Sequence, residues 1–257
     1  VPDHSQLRHH VPGQSVMHQV MALQESTPAQ PAIGRIFGVS PLTAEAKPWY
    51  RGAIAEIAVG EILSALGPEW SAFHAIPVGS GTSDIDHVVI GPGGVFTLNT
   101  KNHTGHSVWV AGRTLMVSGS KQRHIPNSQF EAQRASKLLT LALGHPVTAT
   151  AVLVIFGAKS LTIKEQPAGV VVLSAPQLTR WLRRQPQVLS SAETERLAAV
   201  AGNPRLWHRN PPPAVDPRTL QTWFKTLQQQ VRRAALIRAG WVLATCLVLA
   251  VAIFSRH

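Results

Sequence analysis

Asp84-Ile85-Asp86-His87-Val88-Val89-Ile90, the turn Gly91-Pro92-Gly93-Gly94, and Val95-Phe96-Thr97-Leu98-Asn99-Thr100-Lys101 form the stretch that decides the fold. Two apolar runs on either side of a glycine turn predict a β-hairpin. Side chains two apart on a strand share a face, so Asp84 and Asp86 point one way on the first strand, and Asn99 and Lys101 share a face on the second. His87 falls on the opposite face from Asp86, which makes it a packing or hydrogen-bonding residue rather than a co-ligand. Carboxylates and a lysine gathered at the ends of apolar strands are what metal-assisted phosphodiester chemistry requires. Asn99 stands where a third acid is expected.

Working outward, Gly52 to Leu66 repeats apolar residues at helical spacing through Ile54, Ile57, Ala58 and Ile62, and Gly67-Pro68 stops it. Ala72 to Val78 reads as a strand before the hairpin, and Ser107–Val110 with Thr114–Val117 reads as a second hairpin after it. Pro126-Asn127-Ser128 opens a helix over Gln129 to Leu143, with Phe130, Ala135, Leu138, Leu139 and Leu141 as its apolar positions. Ala149 to Phe156 and Gly169 to Leu173 are continuous apolar runs of the kind buried on both faces of a sheet. Leu178 to Arg184, where Trp181 packs and the arginines are exposed, and Ala192 to Ala201 close the domain as short helices. The expected class is α/β, a central mixed sheet flanked by helices.

Four segments follow. Residues 1–47 are Pro-, Gln-, Ser- and His-rich and are expected to be mostly disordered; His4, His9, His10 and His18 lack metal-ligand spacing. Residues 48–205 form the domain, and 206–233 a linker, including Asn210-Pro211-Pro212-Pro213, with a basic juxtamembrane helix. Residues 234–254 are read as a transmembrane helix, because Ala239 to Phe254 carries no charge and Arg238 can snorkel to the interface. Arg232, Arg233 and Arg238 precede this single pass and only Arg256 follows it, so the positive-inside bias puts the domain in the cytoplasm. The lone Cys246 excludes a disulfide framework. Net charge is +11; residues 48–209 hold fifteen basic and nine acidic groups, and 210–257 hold six and one. Such a surface is drawn to phosphates of nucleic acid or of anionic lipid.

Gly52 through Glu56 to Leu63, Ser83-Asp84-Ile85-Asp86-His87-Val88-Val89-Ile90-Gly91-Pro92, Gly94-Val95-Phe96 to Lys101-Asn102, and Pro126-Asn127-Ser128-Gln129 resemble the NERD (nuclease-related) domain, a branch of the PD-(D/E)xK nuclease-like fold. The resemblance covers about residues 50–185 and implies a restriction-endonuclease-like central sheet. It also implies metal-dependent hydrolysis of a phosphodiester in DNA or RNA, with Mg²⁺ or Mn²⁺ as cofactor. Asp86 is then the first metal ligand, Lys101 orients water or offsets charge on phosphorus, and Glu56 is the family's helical carboxylate. Asn99 takes the place of the E-x-K acid, and Asp84 is a candidate substitute for the lost charge. Gln129 matches a helix-opening glutamine that touches the scissile region or the backbone. Lys121, Arg123 and His124 read as a solvated polar loop or a phosphate track. The alternative to an enzyme is a catalytically impaired nucleic-acid- or protein-binding module tethered to the membrane.

Overall fold

The computed structural model describes residues 7–26, 31–81, 83–210 and 216–255. The chain divides into two compact units, residues 1–16 with 51–217 and residues 17–50 with 218–257.

The first unit is built on a five-stranded mixed sheet in the order β1-β2-β3-β7-β9. Its strands are β1 (Ser71–Pro77), β2 (Asp84–Gly91), β3 (Gly94–Asn102), β7 (Ala149–Phe156) and β9 (Val170–Ser174). The first three are antiparallel neighbours, while β7 joins β3 in parallel after the crossover helix α4 (His124–Leu143). Gly91 and Gly94 face each other across the hairpin turn. A Cβ on Gly91 would stand 2.2 Å from the Trp70 ring, so this corner requires glycine.

Each face of the sheet buries its own cluster. Val89, Phe96, Leu98, Val152 and Val154 pack with Val59 and Leu63 of α3 (Ala46–Ser64) and with Leu178 and Leu182 of α5 (Leu178–Arg183). Val88, Ile90 and Val95 pack with Ala135 and Leu139 of α4 and with Leu197, Ala198 and Ala201 of α6 (Ser191–Ala201), and Trp207 of α7 (Pro204–Trp207) joins the same cluster. Each fully buried aliphatic side chain contributes roughly 1.5–3 kcal/mol. Trp181 packs edge-on to Phe96, with ring centroids 5.5 Å apart, and Arg183 and Arg184 are exposed.

A second, four-stranded sheet departs from the single sheet of the sequence reading. The expected hairpin, β4 (Ser107–Ala111) and β5 (Thr114–Val117), is flanked by β6 (Ser120–Gln122) and, in parallel with β4, by β8 (Ser160–Glu165). Polar residues hold most positions of β8, and only Leu161 and Ile163 mark its inner face. Helix α4 begins at His124, before the expected Gln129, because Pro126 is tolerated in a first turn. Phe130 and Leu141 are exposed; the buried stripe is Ile125, Ser128, Ala132, Ala135 and Leu139.

The N-terminal segment also differs from expectation. Its described residues form α1 (Gln14–Glu25) and α2 (Ala32–Ile36), and Leu7, Met17 and Val20 are buried. Pro31 sits at the N-cap of α2, so proline here bounds a helix rather than preventing one. His4, Pro211 to Pro213 and Arg256 lie outside the described residues.

In the second unit, α8 (Pro217–Phe254) runs unbroken for 38 residues. Among the described residues one helix is long and apolar enough to cross a membrane; its most apolar stretch is 6% buried, unlike that of a core helix.

Candidate active site

Two breaks in the backbone ladder make room for polar side chains at one end of the main sheet. Pairing between β2 and β3 runs to His87 opposite Leu98, so Asp86 and Asn99 stand just past the last paired residues. On the other side, β1 pairs through His74–His87 and resumes at Ile76–Ile85. Ala75, between them and level with Asp86, has φ +46, a left-handed conformation strained for a residue with a Cβ. The Thr100 amide donates to Asp86 Oδ2 at 2.6 Å, which fixes that carboxylate beneath the strand ends.

Asp86 is the centre. Burial pushes its carboxyl up, and Lys101 and the Thr100 amide work against that shift. Glu56 lies on the buried side of α3, three residues before Val59. Its carboxyl is raised well above the ordinary range by burial, then by Asp86 and Asp84. Asp84 is pushed up to about 6 by burial and Asp86, while the Ser15 hydroxyl donates to it and holds it down in part. Lys101 acts on all of these carboxylates, and its Nζ donates to the Thr100 carbonyl at 3.2 Å. The structure therefore brings Glu56, Asp84, Asp86, Asn99 and Lys101 together.

One member was not read from the sequence. Glu131 of α4 accepts a hydrogen bond from Asn99 Nδ2 at 2.6 Å, and it is pushed up to about 8 by burial and Asp86. It stands four residues before Ala135 and eight before Leu139, on the stripe α4 turns to the sheet. An acid on that stripe was the available signal, obscured because Phe130 and Leu141 shifted the apparent apolar face.

Other expected residues are placed differently. Gln129 Nε2 donates to the Ala168 carbonyl, the backbone role among its two readings. Lys121 and Arg123 are exposed. His124 stacks on His103 with Nε2 atoms 3.2 Å apart. Burial and the nearby Lys101 charge lower both imidazoles, His124 to about 4. His87 pairs with His74 through Nδ1 atoms 2.8 Å apart.

Glu56 Oε2, Asp84 Oδ2, Asn99 Oδ1 and Glu131 Oε2 are all buried without a hydrogen-bond partner, around a carboxylate that is itself buried. Leaving one such group unsatisfied costs about 1–3 kcal/mol, more when it is charged. Unpartnered oxygens on one centre are the donor chemistry a hard divalent cation takes. Among the described residues no three His, Cys, Asp or Glu side chains are arranged to hold a metal ion by themselves. Magnesium commonly uses one or two carboxylates and completes its shell with water and phosphate oxygens, so the donors present still fit.

Acids and a lysine thus gather at one end of a mixed sheet flanked by helices. Residues 51–156 match the family model described as NERD, the nuclease-related domain. The match runs from Arg51, within α3, to the end of β7 and contains all six residues of the cluster; α8 lies outside it. No curated protein and no solved structure matches the chain.

Proposed function

We propose that the protein is a membrane-anchored, metal-dependent nuclease acting on a phosphodiester of DNA or RNA. The observation that carries this reading is the set of unpartnered buried oxygens on Glu56, Asp84, Asn99 and Glu131 around Asp86, with Lys101 beside them. Asp86 and one further carboxylate drawn from Glu131, Glu56 and Asp84 would hold Mg²⁺ or Mn²⁺, with Asn99 Oδ1 as a neutral donor and water and phosphate oxygens completing the shell. Such an ion, when bound, polarises a phosphoryl oxygen and lowers the pKa of a water.

The remaining chemistry belongs to the chain. The Thr100 amide holds Asp86 in one orientation. Lys101 directs positive charge to the phosphate, orients the attacking water and offsets the negative charge that builds on phosphorus. Glu131, hydrogen-bonded to Asn99, restores the carboxylate that Asn99 lacks, so the PD-(D/E)xK pattern keeps its charge with one acid supplied by α4 instead of β3. The net charge of +11 favours a polyanionic substrate.

Helix α8 would tether the domain by a single pass, and the arginines before it support a cytoplasmic domain. A second reading, a catalytically impaired module that binds nucleic acid or a protein, is favoured by Asn99 alone. Full-length protein in detergent micelles, given Mg²⁺ or Mn²⁺ with plasmid and single-stranded substrates, separates the two. Cleavage that stops on chelation is expected. Binding of the oligonucleotide without cleavage in either metal would give the site to the second reading.

A further inference from the structure

In the second unit, α2 and the turn after it dock on α8. Trp241 Nε1 donates to the Ile36 carbonyl at 2.8 Å, and the Phe37 and Trp241 rings lie 5.4 Å apart. Gly38, at φ +68, sits so close to α8 that a Cβ would stand 2.5 Å from the Ala234 carbonyl oxygen and the Arg238 nitrogen. Only glycine fits that turn. The Val39 amide closes it by donating to the Gly34 carbonyl at 2.8 Å.

This docked segment buries nothing apolar on its outer side. No residue of α2 is buried, and Ile33, Ile36, Phe37 and Val39 are each more than half exposed, from 52% to 66%. Four large apolar side chains gathered in seven residues make an exposed patch that needs a partner. The patch is continuous through Phe37 with the exposed apolar surface of α8, where Trp241, Val242 and Leu243 are also exposed. Between Glu25 and Glu45 the sequence has one charged residue, Arg35.

Length identifies the occupant. The span 234–254 reaches bilayer thickness only by taking in Arg238; its uncharged run, Ala239 to Phe254, has sixteen residues. At 1.5 Å per residue it covers about 24 Å, against a hydrocarbon core of about 30 Å. The proximal end is where the run falls short, since Arg238 begins the charged part, and α2 docks at that level. A tryptophan at this depth normally offers its N–H to headgroups; here the N–H is occupied by α2. We propose that α2 and the Phe37 turn are an interfacial wedge, inserting Ile33, Ile36, Phe37 and Val39 into the headgroup–acyl boundary of a lipid bilayer beside α8. The wedge widens a short span into an apolar collar, and Arg35 reaches the phosphates. This inference rests on α8 spanning the membrane.

The test uses the full chain in vesicles of phosphatidylcholine and phosphatidylglycerol, with Cys246→Ser removing the native thiol. Single cysteines at Ile36→Cys, Leu247→Cys and Lys137→Cys carry an environment-sensitive fluorophore, and lipids brominated at shallow or deep acyl positions act as quenchers. The label at position 247 reports the span, and that at 137 is the aqueous reference. The expected result is emission at position 36 shifted to shorter wavelength and quenched by shallow bromolipids, with deep quenching at 247 and none at 137. Quenching at 247 with water-like emission at 36 overturns the wedge and leaves the span standing. No quenching at either position overturns both. A shielded label at 36 that bromolipid does not quench, with disulfide dimers formed through Ile36→Cys, would assign the patch to a second copy of the chain and overturn the lipid assignment.

Discussion

Strand β2 carries two buried polar centres, one at His87 and one at Asp84 and Asp86, and they solve the problem of burial in opposite ways. At the first, His87 meets His74 of β1 directly across the ladder, Nδ1 to Nδ1 at 2.8 Å. Burial lowers both imidazoles to about 3, so each is neutral and one donates to the other. That pair needs nothing from outside except a partner for His87 Nε2. At the second, Asp84 and Asp86 join Glu56, Glu131 and Asn99, all acceptors except the Asn99 amide nitrogen. Acceptors cannot satisfy one another, so that centre is complete only with protons or a cation. The histidine pair closes a core, whereas the carboxylates keep acceptor oxygens that no side chain satisfies.

The sharpest way to break this comparison is to remove Lys101, the cation that acts on these acids among the described residues. Lys101→Ala should lower the turnover rate of metal-loaded full-length protein by about 10²–10³-fold, the scale of losing one electrostatic donor to the transition state. Full-rate cleavage by this variant would leave the acids without their proposed task. Next in size is the acid from α4. Glu131→Gln should weaken Mn²⁺ binding, read by titration calorimetry, by about 10–100-fold, the range for losing a group that shapes a metal site. The double variant Asn99→Glu with Glu131→Gln should recover most of that affinity, because acid and amide change places while their hydrogen bond survives with donor and acceptor reversed. Unaltered affinity in Glu131→Gln would make Glu131 a bystander.

That acid also marks where sequence legibility ended. The hairpin Asp84 to Lys101 could be read residue by residue because alternation and a glycine turn are local signals, and the shared faces of Asp84 with Asp86 and of Asn99 with Lys101 follow from strand geometry. Helix α3 and strands β7 and β9 were legible for the same reason. Glu131 lies 32 residues from Asn99, and their contact depends on how α4 rotates against the sheet. That rotation is masked by Phe130, an apolar residue at helical spacing that packs beneath the Arg134 guanidinium at the surface. The His74–His87 pair needed the β1–β2 register, and β8 needed its partner β4, neither of which a single strand's composition discloses. In the N-terminal segment, proline and histidine content outweighed a short pattern, Met17 and Val20, that buries one side of α1.

At the histidine centre the expected effects are smaller and leave chemistry alone. His74→Leu removes one imidazole and strands His87 Nδ1 in the core. It should cost about 1–3 kcal/mol of stability, the range for a buried polar group left unpaired. Thermal unfolding in micelles should register the loss, while Mn²⁺ affinity stays at the wild-type value. A parallel drop in Mn²⁺ affinity would mean that the two centres of β2 are coupled.

The most delicate contrast is in pH dependence, where the two centres have opposite signs. A histidine lowered to about 3 favours the neutral form in the folded state, so its contribution is intact above about pH 6.5 and falls away as the pH drops toward 3. Glu131, raised to about 8 from 4.5, favours the protonated form, so the folded state loses stability as the pH climbs from 4.5 through 8. Between pH 6.5 and 8 the histidines are silent and the acid dominates. Chelated protein should therefore lose about 1–2 kcal/mol across that window, less any screening of the half-buried group. Glu131→Gln should make the profile shallower there, leaving the part carried by Glu56. Saturating Mn²⁺ should reverse its slope, because a cation stabilises the ionised carboxylates that bare burial disfavours. Equal slopes with and without metal, measured by thermal unfolding at each pH, would mean that the cation does not bind at these acids.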